Sequence, residues 1–170
     1  MLANAPRAYA LLAGLTSAAM LATAHIFQRF GYEPCDLCLR QREVYWIALP
    51  LALGGWWLQA RRPELGRVIV ALLVLVFLVG FGVALYHAGA EWKWWPGPET
   101  CGAGGSADAA GIDALLRGET VRNLRCDEAA WRMVGISMAG WNALVSLGLA
   151  ALGLLALAGR VGRGRRMAHG

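Results

Sequence analysis

The stretch GYEPCDLCLRQREVYWIALPLAL, residues 31–53, sets a Cys-x-x-Cys pair, Cys35 and Cys38, directly against an apolar run. Arg40 and Arg42 stand between the thiols and that run. Such a run is either the core helix of a soluble domain or a membrane span, and its neighbours decide which. The chain has 170 residues, 58% of them hydrophobic and only 16% charged. Its mean hydropathy is +0.46. That is too apolar for an ordinary soluble domain.

Four apolar stretches stand out, at about 8–28, 43–59, 67–88 and 137–158. Each approaches the length that crosses a ~30 Å hydrocarbon core, roughly 17–25 residues of helix. What remains between them is too short to bury a core of its own. The expected architecture is therefore an all-α membrane protein: one domain, 1–170, built as a four-transmembrane-helix bundle. The second stretch carries Pro50 and the pair Gly54–Gly55, which membrane helices accept when neighbours satisfy the freed carbonyl. The first has a rival reading. Arg7, an apolar run and Ala22-Thr23-Ala24 resemble a secretory signal, but the run is long for a signal core. An uncleaved span is expected.

Four spans place both termini on one side and the segments 29–42 and 89–136 on the other. All four cysteines, Cys35, Cys38, Cys101 and Cys126, lie in those two segments. Lysines and arginines tie between the two sides, but the terminal-side segments are shorter and carry a single acid, Glu64. That density puts the termini in the cytoplasm. The cysteines then face an oxidising compartment, where disulfides persist. Arginines scattered over short tails do not make a nucleic-acid surface, so no nucleic-acid partner is expected despite the net charge of +5.

Between the spans, ARRPELG (60–66) reads as a tight turn around Pro63. Trp92, Trp94 and Trp95 suit a membrane–water interface, and Pro96-Gly97-Pro98 forbids regular structure beyond them. SADAAGIDALLRG (106–118) is weakly amphipathic and suits either a helix lying on the membrane or a plain soluble helical turn.

The chemistry lies with the cysteines. Pro34 fits a first helical position and Asp36 a cap, so Cys35 and Cys38 fall in or beside the first turn of the second helix. Free amides at that end favour a thiolate, the species that attacks disulfides. Arg42 lies one turn beyond Cys38 on the same face and favours it too, while Asp36 opposes it. Charge at that depth calls for a partner, which points to a functional Arg42; Arg40 reads as a snorkelling anchor. Cys101 and Cys126 share a longer segment, where a disulfide is accessible to another protein's thiolate. Two stapling disulfides in a non-catalytic membrane protein are the plain alternative. A four-cysteine zinc site is disfavoured because only one pair has the C-x-x-C spacing, so no metal is expected.

The order Pro34-Cys35-x-Leu37-Cys38-x-x-x-Arg42, then WPGPETC ending at Cys101, then Cys126, then SMAGWN at 137–142, resembles the DsbB family of disulfide-forming membrane oxidoreductases. The resemblance covers essentially the whole chain. It implies a bacterial inner-membrane enzyme with a short and a long periplasmic loop. A DsbA-type thioredoxin-fold partner would attack a Cys101–Cys126 disulfide at Cys101. Cys126 would then exchange with the Cys35–Cys38 disulfide through a transient Cys35–Cys126 bond. Cys38 would pass electrons to a membrane quinone, ubiquinone or menaquinone, beside Arg42. His87 would stand near that quinone. His25, Trp141 and Asn142 are expected to be structural. The vitamin K epoxide reductases are a rival, but there the C-x-x-C lies near the start of the last span, whereas here it starts the second.

Overall fold

A computed structural model describes residues 5–30, 32, 34–98, 116–117, 126–129 and 131–167, with side chains as far as 159. Its four long helices are α1 (Ala5–Arg29), α2 (Asp36–Arg61), α3 (Pro63–Glu91) and α4 (Met138–Met167). A hairpin of two short strands, β1 (Arg132–Met133) and β2 (Ile136–Ser137), leads into α4. Val134 and Gly135 turn it, both at positive φ, as a two-residue hairpin loop demands. The sequence pattern did not announce this hairpin.

Among the described residues, three helices are long and apolar enough to cross a membrane: Ala5–Arg29, Pro63–Glu91 and Met138–Gly159 of α4. At 1.5 Å per residue the 25 residues of α1 reach about 38 Å. Their outer faces stay apolar: Leu15, Leu75, Val79 and Leu155 are all more than half exposed. A helix with apolar residues all round belongs in a core or a membrane, and these outer faces have no core to enter.

α3 packs along both α2 and α4, and α1 leans mainly on α2. The core is built from Tyr9, Val70, Leu73, Phe77 and Leu149, interleaved with Ala13, Ala48, Ala52 and Ala150. Small residues let the helices approach closely, as membrane helix pairs do. At Gly80 a Cβ would stand 2.8 Å from Val44 Cγ1 across the α2–α3 seam.

The connections are shorter than the apolar runs suggest. ARRPELG turns as tightly as expected, and helix fills most of it: α2 ends at Arg61 and α3 begins at Pro63, with Arg62 alone between. Pro63 sits at the start of α3, where its missing amide hydrogen costs nothing. α2 likewise begins at Asp36, inside the segment read as the short loop. α1 runs without a break through Ala22–Ala24. The amphipathic segment 106–118 lies outside the described residues except for Leu116 and Arg117.

Candidate functional site: a dithiol at the start of α2

Cys35, not Asp36, caps α2. Its Sγ accepts the Cys38 backbone N–H at 3.3 Å. Pro34 precedes the cap, and Asp36 is the first helical residue and exposed. The one helical turn from Cys35 to Cys38 brings the two sulfurs to 2.7 Å, well inside van der Waals contact. Both thiols are free.

That closeness splits the pair. The side-chain hydrogen bond with Cys38 is the first cause that pushes the Cys35 thiol up, and burial is the second. The same bond holds Cys38 below the ordinary thiol range, with backbone help, while burial and Glu91 oppose. Arg42 acts in the expected direction, but as the smallest of these influences. Its guanidinium is turned toward α1, donating to Gln28 Oε1 at 2.8 Å and to the Ala24 carbonyl at 3.2 Å.

Cys126 is buried against Cys35 and Leu37, with Cys38 packed beside them. It is disulfide-bonded. Cys101 lies outside the described residues. The Cys126 segment is tied to the end of α3. There Lys93 adopts φ 61° and closes a Schellman cap, in which Lys93 N donates to Ala90 O at 3.1 Å and Trp94 N to Gly89 O at 2.9 Å. Lys93 Nζ then reaches Asp127 at 2.6 Å. Trp95 folds back onto α3, stacking on Tyr86 and donating from Nε1 to the Tyr86 carbonyl.

His87 is buried at the centre of this end of the bundle. Its Nε2 lies 3.8 Å from Cys35 Sγ and 3.7 Å from Glu91 Oε1. Its Nδ1 is 2.7 Å from Gln41 Nε2. Asn142 Nδ2 donates to Gln41 Oε1, and Tyr45 OH donates to Asn142 Oδ1. This buried chain of side chains links α2, α3 and α4 and fixes the imidazole against the cysteines. A cavity of about 170 Å³ opens beside it, walled by Leu21 and Phe27 of α1 and faced by Cys38, Arg42, His87 and Glu91.

Cys35, Cys38, Arg42 and His87 thus line one cavity, and Cys126 packs against Cys35. His25 is not part of it: its Nδ1 bonds the Leu21 carbonyl and its ring meets Trp46 edge-on. Arg40 points outward, 3.6 Å from Glu43. Trp141 bonds the Met133 carbonyl. Asn142, expected to be a packing residue, carries part of the polar chain. Gln41, Tyr45 and Glu91 were not anticipated. Helical spacing held the signal, since Glu91 follows His87 by four positions and Tyr45 follows Gln41 by four. The site can hold a thiolate at Cys38 and receive an exchanging sulfur at Cys35, which is the equipment for thiol–disulfide exchange.

Comparison with known proteins agrees with this chemistry. The family model described as "Disulfide bond formation protein DsbB" matches residues 6–156. A Disulfide bond formation protein B of Xanthomonas campestris pv. campestris is 32% identical over 155 residues, covering 88% of this chain and 89% of its own. Its namesakes in Xanthomonas euvesicatoria and in a Polaromonas species are 31% and 28% identical over the same shares. Spanned by apolar helices and carrying a helix-capping dithiol, the chain belongs to the DsbB family of membrane proteins that form disulfide bonds.

Proposed function

We propose that this chain reoxidises a periplasmic DsbA-type thioredoxin-fold dithiol protein and delivers the electrons to a membrane quinone. The observation that carries this reading is the burial of Cys126 directly against Cys35, with Cys38 beside the cavity. A partner thiolate attacks the disulfide of the long loop at Cys101 and frees Cys126. The Cys126 thiolate attacks Cys35 Sγ; the Cys126–Cys35 bond forms, the Cys35–Cys38 bond breaks, and the electron pair leaves on Cys38. Once Cys35 is bonded to Cys126 it has no thiol proton to give, so the Cys38 thiolate then rests on the Cys35 backbone hydrogen bond and the nearby Arg42 charge.

The cavity fits a quinone head group: apolar on the α1 side, with Arg42 and His87 at its polar edge. A quinone bound there supplies a two-electron, two-proton acceptor within reach of Cys38. Arg42, anchored to the last turns of α1, sets positive charge at that edge without binding the sulfur.

In this reading α2 is the fourth span of a single domain. Its exposed Trp46, Ile47, Leu53 and Trp57 then face lipid. The cysteine end faces the periplasm, and both termini lie in the cytoplasm of a bacterial inner membrane. Purified protein is expected to oxidise a reduced thioredoxin-fold partner only when quinone is supplied. Cys38→Ser is expected to abolish quinone reduction. Intact quinone reduction in that variant would sink the relay.

A further inference from the structure

The relay leaves one buried group without a task. Glu91 is only 7% exposed and stands beside His87; Ser137 hydrogen-bonds its carboxyl, but its Oε2 is buried with no hydrogen-bond partner. An orphaned buried carboxylate oxygen is costly and asks for a cation or a donor. Cys35 Sγ, Cys38 Sγ and His87 Nε2 all lie within 4.8 Å of one another, and Glu91 Oε1 lies 3.7 Å from His87 Nε2.

We propose that the reduced dithiol form binds a thiophilic divalent cation of the zinc class through Cys35, Cys38 and His87 Nε2, with Glu91 as the fourth ligand. The site differs from the four-cysteine arrangement set aside on sequence spacing. Here a histidine and a carboxylate from α3 replace the second cysteine pair, and only the tertiary fold brings them to the thiols.

The distances suit tetrahedral coordination. Metal–sulfur and metal–nitrogen bonds of about 2.3 and about 2.0 Å put a sulfur and a nitrogen ligand about 3.5 Å apart. Cys35 Sγ and His87 Nε2 stand 3.8 Å apart. The two sulfurs, at 2.7 Å, must open by about 1 Å, a small side-chain rotation once no bond joins them. A C-x-x-C at a helix start, with an amide donating to the first sulfur, is a common half of zinc sites.

The surrounding polar chain fits as well. A ligating imidazole hands its other ring proton to an acceptor. The Gln41 and Asn142 amides can each exchange oxygen for nitrogen, and the Tyr45 hydroxyl can accept instead of donate. The chain His87–Gln41–Asn142–Tyr45 therefore stays satisfied with a proton on Nδ1 and the lone pair of Nε2 turned to the cation, at the expense of the hydrogen bond between His87 and the Cys126 backbone. Binding forms two metal–thiolate bonds, releases any proton the two sulfurs still carry, and oxidises nothing. A disulfide offers no thiolate, so the oxidised form does not bind.

The inhibitory consequence rests on the relay proposed above: cation-held thiolates cannot return to the disulfide, so the cation stops turnover. Binding itself needs only the dithiol. The test uses full-length protein in detergent, free of quinone, with Cys101→Ser and Cys126→Ser so that only Cys35 and Cys38 remain. The anaerobically reduced protein is titrated with Cd²⁺, read by thiolate-to-cadmium ultraviolet absorption, and with Zn²⁺ against a chromophoric chelator. About one ion per chain is expected, lost on oxidation and weakened at least tenfold by His87→Ala. Glu91→Gln is expected to weaken binding less. His87→Cys supplies another soft ligand and should restore binding while strengthening the absorption, which separates ligand loss from misfolding. Absence of binding, or equal binding in His87→Ala, would overturn the site. Neither outcome touches the quinone-reduction test, which is run without added metal.

Discussion

At the scale of single residues, the two thiols of one helical turn are unequal because one caps the helix and the other receives its hydrogen bond. A thiol held low is already a thiolate at a pH where an ordinary thiol is protonated; a thiol pushed up stays protonated well above that pH. Reduced protein without quinone is therefore expected to lose Cys38 to iodoacetamide first at neutral pH. Cys35 should react only at strongly alkaline pH. Mass spectrometry of the labelled peptides across a pH series checks the order. Cys38→Ala removes the largest cause of the Cys35 elevation and leaves burial, so Cys35 labelling should move to lower pH. Arg42→Met should shift Cys38 upward only slightly, because Arg42 is the weakest of the influences on it. The sequence placed Arg42 on the Cys38 face but could not show that its guanidinium turns to Gln28 and Ala24. A four-residue spacing defines a helical face, whereas the partner at the end of a long side chain belongs to another helix.

At the scale of elements, the α2–α3 seam depends on Gly80. Gly80→Ala would push a methyl against Val44 Cγ1, and overpacking of that kind costs about 1–3 kcal/mol. Val44→Ala in the same chain should recover part of that loss, a coupling that denaturant titration of the four variants in a double-mutant cycle reads directly. The end of α3 offers a different test. Lys93 holds a left-handed conformation that glycine adopts without strain, and its exposed ammonium tethers Asp127 next to Cys126. Lys93→Gly trades the strain for the loss of an exposed ion pair of about 0.2–1 kcal/mol, so helix stability should change little. The Cys126 disulfide should nevertheless be reduced faster by a soluble dithiol, because its segment has lost an anchor. Rates unchanged from the parent would show that the tether does not restrain it. Helix lengths were legible in the apolar runs to within a few residues at most ends. The start of α2 was legible only in part: the sequence put the two cysteines in or beside its first turn but offered Asp36 as the cap, where the structure caps the helix with Cys35.

At the scale of the whole molecule, the test is which end of the bundle carries the thiols. With the native cysteines replaced by serine, an impermeant thiol reagent added to intact cells should label Asp36→Cys, placed at an exposed position beside the dithiol, while a fluorescent protein fused to the C-terminus should mature in the cytoplasm. Protection of that cysteine from the reagent would reverse the orientation. The apolar runs by themselves determined a helical membrane protein, because length and hydropathy are properties of a contiguous segment. The C-x-x-C at a helix start likewise determined a redox-capable pair, since its geometry is local. The tertiary structure decided the rest: that His87, some fifty residues away, faces Cys35 with Glu91 beside the imidazole, and that Asn142 completes the polar chain from the last helix. Those contacts arise where helices remote in sequence pack side by side. A periodic pattern tells which face of a helix turns inward, and only packing tells which residue it meets there.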